Sequence, residues 1–263
     1  MSDRVPPYFT RLIAAFRRGQ AGRGVHLGYW DDPANPHGDF AAAQDRLDEV
    51  LLAMAGLAPG QALLDAGCGL GGTLARINRE QRAMALAGVN VDPRQLEVCR
   101  GIAPANGNTL RWDLADACRL PYAGASFERV LCVEAMFHFS SRRAFFAEAA
   151  RVLKPGGALV ASDIVLAAPA PEGAEDALRA GFGPWPDPWG ADADHRALAQ
   201  AAGLRCTAWQ DAAPQTLPSH RHTAPSGEAE AGDATARAAQ VLRWLHANRR
   251  LQYPCMRFDK ETD

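Results

Sequence analysis

The sequence predicts an α/β chain. It would carry a doubly wound, mostly parallel seven-stranded sheet, an N-terminal helical cap and a lid inserted after the fifth strand. Two observations lead there. From residue 61 onward, short apolar runs alternate with stretches of helical periodicity, the pattern of βαβ units whose strands are covered on both faces. The first of these runs ends in a glycine-rich turn, LLDAGCGLGG at 63–72, that leads directly into a helical stretch.

The elements follow in order. Residues 8–18 place Phe9, Leu12, Ile13 and Phe16 at helical spacing. Residues 19–38 are rich in Gly, Asp, Pro and His and read as an irregular segment bearing Tyr29 and Trp30. Helical periodicity returns over 40–55 through Leu47, Val50, Leu51 and Met54, and stops at Gly56 and Pro59. Strands are expected at Ala62–Ala66, Ala85–Val91, Thr109–Trp112, Arg129–Val133 and Ala158–Ile164, with helices at 72–80, 93–102 and 141–153 between them. Pro93 suits the first helical position. The rhythm then breaks. Residues 167–190 hold five prolines, four glycines and two tryptophans, too long a stretch for a simple connection, and read as a lid. A helix at 192–202, a strand near 204–210, a helix at 231–247 and a strand near 251–258 close the sheet, and 224–234 reads as a mobile polar loop. The whole is expected to be one domain: cap helices over 1–56, a core over 57–164, and the lid with a substrate-side half over 165–263.

Composition narrows the function. The 263 residues are 48% hydrophobic and 22% charged, an ordinary globular mix. Twenty-eight basic residues against thirty acidic ones leave a net charge of −2, which argues against a nucleic-acid track. No apolar run approaches the roughly 18 residues a membrane span needs, and the apolar stretch Leu12–Phe16 is too short for a signal-peptide core. A cytoplasmic enzyme or binding protein is therefore expected. Six scattered cysteines without a CxxC pair read as free thiols. His220 and His222 form an HxH with no third ligand nearby in sequence, so no metal is expected and a solvated loop is the simpler reading.

Three segments carry chemistry. In LLDAGCGLGG, Gly67, Gly69 and Gly71 permit positive φ and bring a ligand against bare backbone, while the following helix offers free N–H groups. A dinucleotide site would show the same turn. In AGVNVDPRQ the end of the second strand should meet a ribose. There the chain places Asn90, with Gln95 one helical turn on, where an NAD enzyme usually has an acid. Asp92 serves equally well as a helix cap. In ADACRLPYAGASFERVLCVEAMFHF, Asp116 is placed to accept a bond from an adenine amine, and Glu134, Phe137 and His138 sit at the end of the fourth strand.

Taken in order, these segments and ARVLKPGGALVASDI resemble the class I S-adenosylmethionine-dependent methyltransferases over about residues 40–164. The HLGYW segment ahead of them resembles the small-molecule subgroup, with its tocopherol, sarcosine and rebeccamycin-sugar enzymes. The resemblance implies a Rossmann-like sheet reversed at its far edge, S-adenosylmethionine as methyl donor and S-adenosylhomocysteine as product. It implies that Asp65, Gly67, Cys68 and Gly69 hold the methionine end, Asn90, Val91 and Gln95 the ribose, and Asp116 with the Ala117 backbone the adenine. Glu134 would sit where the pocket opens, and the Lys154–Gly157 turn would be structural. Asn90 departs from the usual acidic ribose ligand. Methyl transfer is an in-line displacement that asks the protein to align the reactants, exclude water and sometimes take a proton. His138 is the expected general base, oriented by Asp163. Tyr29, Trp30, Phe137, Trp185 and Trp189 are the expected substrate-side aromatics, facing a small-molecule metabolite such as a natural-product intermediate. The acceptor atom is not readable, and a homodimer is compatible. The rivals are a protein that binds S-adenosylmethionine without transferring methyl, and an NAD-dependent oxidoreductase, which would want an acid at position 90.

Overall fold

In the computed structural model, which describes residues 5–6, 8–183, 194–223 and 233–262, the apolar runs assemble into one seven-stranded sheet. Its strands are β1 (Ala62–Ala66), β2 (Ala85–Asn90), β3 (Thr109–Leu114), β4 (Phe127–Val133), β5 (Leu153–Ser162), β6 (Leu204–Asp211) and β7 (Pro254–Lys260). They lie in the order β3–β2–β1–β4–β5–β7–β6. β7 runs antiparallel to both of its neighbours and the other pairings are parallel. The chain therefore reverses direction across the sheet between β1 and β4, and the crevice at the carboxyl ends of those strands is where such sheets bind ligands.

Among the described residues, the helices of seven residues or more are α1 (Tyr8–Arg17), α2 (Phe40–Ala55), α3 (Gly72–Glu80), α4 (Pro93–Cys99), α5 (Arg142–Val152), α6 (Ala174–Phe182), α7 (His195–Ala201) and α8 (Ala234–Ala247). Successive strand residues point to opposite faces, so Leu63 joins one core and Leu64 the other. The first core takes Leu47 and Leu51 of α2, Leu74 and Ile77 of α3, Leu96 of α4 and Leu245 of α8. The second takes Phe145 and Phe146 of α5 and Leu198 of α7. Helix starts follow the capping residues. Asp39 accepts from the Ala42 amide ahead of α2, and Asp92 accepts from the Arg94 amide ahead of α4, with Pro93 at the first helical position.

Several boundaries differ from the sequence reading. α2 packs its buried face on the sheet and so belongs to the sheet's own helical layer, not to a cap. β5 starts at Leu153, not Ala158: Leu153 pairs with Phe127 of β4 and pairing then resumes at Arg129 with Ala158, so Lys154–Gly157 is looped out of register as a bulge within β5. β5 ends at Ser162, not Ile164, because Asp163 turns back to accept the Ile164 amide. The first half of the expected lid holds α6, docked on α8 so closely that a Cβ on Gly181 would lie 2.4 Å from Ala238 Cβ. Trp185 and Trp189 lie outside the described residues, as does most of the 224–234 loop. The HxH is no solvated loop: it opens a helical turn, His220–Thr223, in which His220 is buried against His246 at 3.0 Å, while His222 stacks between Trp30 and Phe40. No described helix is long and apolar enough to cross a membrane.

Candidate active site

The carboxyl ends of β1, β2 and β4 open into a cavity of about 310 Å³. Its floor is the glycine turn after β1. Gly67 has φ +84°, and a Cβ there would stand 2.5 Å from the Ala135 methyl, so no side chain fits. Gly67, Gly69, Asn90, Val91, Gln95, Asp116, Ala117, Glu134 and His138 all line this one cavity. Tyr8, Phe9 and Leu12 of α1 cover it. A larger groove of about 710 Å³ between α6 and α8 contains none of these residues.

On the β2 side, Asn90 Nδ2 donates to Gln95 Oε1 at 2.6 Å, while Asn90 Oδ1 accepts the Asp92 amide at 3.1 Å. The two amides form one fixed, uncharged unit at the strand end. Asp116 turns one oxygen onto the Cys118 amide at 2.8 Å, which shapes its loop. On the β4 side, Glu134 has φ +49° and presents Oε2 to the Leu27 amide (2.8 Å) and the Tyr253 hydroxyl (2.6 Å). Burial pushes its carboxyl above the usual range despite those donors. Tyr253, buried just ahead of β7, was not singled out in the sequence; nothing in its local surroundings marks it, since its partner stands 119 residues away.

Other expected site residues stand elsewhere. Asp65 is buried beneath the turn and outside the cavity lining; burial, with Asp48 nearby, pushes its carboxyl up to about 7. Cys68 is also buried outside the lining, facing Gly88 and Cys99, where it packs under the turn. Trp30 is buried with its indole N–H on Ser219, and the Tyr29 hydroxyl accepts from Gln210; neither lines the cavity. Phe137 is buried beside His138, with ring centroids 4.4 Å apart.

The expected His138–Asp163 pair is not formed. The Asp163 carboxylate is held by Arg142 at 2.7 Å and His195 at 2.8 Å, with all three side chains at 1% exposure or less. Burial alone would raise this carboxyl, but Arg142 and His195 outweigh it and hold it at about 2. Neighbouring strand ends do bring 138 and 163 to one side of the sheet, yet two residues distant in sequence claim the carboxylate first. His138 instead meets the Tyr8 hydroxyl at Nε2, 2.8 Å. Burial lowers its imidazole to about 3, so it is neutral at physiological pH.

A family model described as "Methyltransferase domain" matches residues 64–161. An O-methyltransferase of Pyrenophora dematioidea is 38% identical over 168 residues, covering 63% of this chain and 60% of that protein. O-methyltransferase rstn1 of Aspergillus nomiae is 30% identical over 173 residues, covering 65% of this chain and 72% of that protein. The chain thus spans less than two thirds of the first relative's length. Among solved structures, the crystal structure of the [4+2]-cyclase SpnF superposes with a TM-score of 0.76 at 22% identity, covering 97% of this chain and 94% of that one. The fold is the Rossmann-like fold of the class I methyltransferases. The chain belongs to the class I S-adenosylmethionine-dependent methyltransferase family.

Proposed function

We propose that the protein transfers the methyl group of S-adenosylmethionine to a small-molecule acceptor, a natural-product type of metabolite, in the cytoplasm. The observation that carries this reading is the cavity's charge. Its described lining includes the carboxyls of Asp116 and Glu134 and no lysine or arginine. Such a site suits a ligand that is cationic overall, and it disfavours the pyrophosphate of a dinucleotide. The Asn90–Gln95 amide pair would take the ribose hydroxyls, Asp116 the adenine amine, and the Gly67–Gly69 backbone with Glu134 the methionine end. The bound donor supplies an activated methyl carbon on a sulfonium. Both relatives are named O-methyltransferases, which favours an oxygen acceptor. For an oxygen acceptor the proton need leave only as the methyl arrives, when the oxygen has become strongly acidic. A neutral imidazole of low basicity, His138, can then accept it without help from Asp163.

Calorimetry with S-adenosylhomocysteine and with NAD tests the cofactor. The expected result is binding of the former and none of the latter, weakened by roughly 1–3 kcal/mol in Asp116→Ala. Tight NAD binding with no response to S-adenosylhomocysteine would overturn the reading. Because a cyclase shares this fold, transfer itself needs measuring, with a labelled methyl donor and a metabolite extract.

A further inference from the structure

Tyr8 stands against the one side chain that the reading above gives the acceptor's proton, His138. Its hydroxyl meets His138 Nε2 at 2.8 Å on the cavity wall, and its ring lines that cavity. The ring is held by other rings: edge-on against Phe9 at 4.8 Å and Phe182 at 5.3 Å, with the His138 imidazole at 5.8 Å. Phe137 backs the imidazole. The walls are those of a slot for a flat arene with a hydroxyl at its inner end. The helix that carries Tyr8 is lightly attached. Ile13 is its one buried residue. Among the described residues, its ties beyond the pocket, Arg11 to Asp233, Arg17 to Glu97 and Thr10 to Arg94, are exposed surface contacts of the kind worth little. Such a helix can yield when a better ligand competes for the slot.

We propose that the Tyr8 phenol occupies the seat of the acceptor hydroxyl, so that the acceptor is a phenol-type arene that displaces Tyr8 from His138. This rests on the methyl-transfer reading above. In the step, the acceptor oxygen forms a bond to the methyl carbon as the carbon–sulfur bond breaks. The bonding pair stays on sulfur, which leaves as a thioether, and the phenolic proton passes to His138 Nε2. Tyr8 is thus a specificity-determining residue, and its displacement taxes acceptor binding in the native protein.

The full chain saturated with S-adenosylhomocysteine is titrated with p-cresol, which reproduces the Tyr8 side chain, and with 4-methylcyclohexanol, which keeps the hydroxyl but not the arene. Ligand-observed NMR reads binding, and a labelled donor reads transfer. Tyr8→Ala should bind p-cresol at least tenfold more tightly than the native protein does, prefer it tenfold over 4-methylcyclohexanol, and methylate it. Tyr8→Phe, which keeps the ring but removes the bond to His138, should lower the KM for p-cresol about two- to tenfold. Equal p-cresol affinity in native protein and Tyr8→Ala, binding without methylation, or an unchanged KM in Tyr8→Phe would overturn the proposal. Failure of the native protein to bind S-adenosylhomocysteine at all would instead overturn the methyl-transfer reading.

Discussion

Asp163→Asn should cost stability and leave the chemistry largely in place. The carboxylate carries Arg142 and His195 on one oxygen and the Ile164 amide on the other, all buried. An asparagine keeps the bond to the amide but takes the Asp163 charge away from the buried Arg142 guanidinium, 1% exposed. The held carboxyl sits near 2 against an ordinary value of 3.8, a shift of about two pH units, or roughly 2–3 kcal/mol. That shift already contains the loss of the Arg142 and His195 partners, so the expected cost is about 2–3 kcal/mol. For a chain of this size that corresponds to a fall of roughly 4–12 °C in Tm. Because the folded carboxyl is depressed, native stability from this group is complete above about pH 4 and is lost as pH falls toward 2; Asp163→Asn should erase that slope. The assay is thermal unfolding across pH 2–7, with S-adenosylhomocysteine affinity measured at low temperature where the variant is folded. An unchanged Tm with abolished turnover would refute this reasoning and restore Asp163 as the partner of His138.

Gly67→Ala places a Cβ 2.5 Å from Ala135 at φ +84°. It should lose about 1–3 kcal/mol of stability and bind S-adenosylhomocysteine at least tenfold more weakly by calorimetry. Tyr253→Phe removes the 2.6 Å donor to Glu134 and should cost about 1–3 kcal/mol in urea unfolding, since the buried carboxyl loses a partner. Asp65 ionises near 3.8 unfolded and near 7 folded. Between those values the unfolded chain is ionised while the folded one still holds the proton, so stability falls as pH rises from about 4 to 7 and stays low above. Asp65→Asn should flatten that fall, gaining up to about 4 kcal/mol over native protein at pH 8, as read by melting at pH 5 and 8.

Much of this molecule is legible in its sequence because the relevant signals are local. The strand runs, the glycine turn and the Asp92 cap depend on neighbours a few residues away, and each is present, with strand ends shifted by a few residues. Asn90 and Gln95 could be read as neighbours for the same reason, being five residues apart across the turn from β2 into α4. What local pattern could not give is competition between distant groups. Asp163 and His138 do reach the same end of the sheet, but Arg142 and His195 capture the carboxylate. Tyr29 and Trp30 were expected on the substrate side, yet they bond to Gln210 and Ser219 and do not line the cavity. The covering residues come from α1, whose apolar stripe was visible through Phe9 and Leu12 while its destination was not. The bulge at Lys154–Gly157 lengthened β5 because it lies ahead of Ala158, where pairing with β7 begins, so looped-out residues that a propensity reading counts as a turn disturb only the β4 side.

The position of β7 has a consequence for how the chain reaches its native state. This strand lies between β5 and β6 and bonds to both. β6 precedes it in the chain yet has no place in the sheet until β7 arrives. Before that moment β5 and β6 each present an open row of backbone donors and acceptors, which is where strands of other molecules pair by mistake. Late, non-local insertion of an interior strand also slows folding. Folding yield should therefore depend on how quickly residues 254–260 find that slot. Changes that weaken Met256 and Phe258, both fully buried there, should show first as aggregation during refolding, before any loss in the affinity of the finished protein.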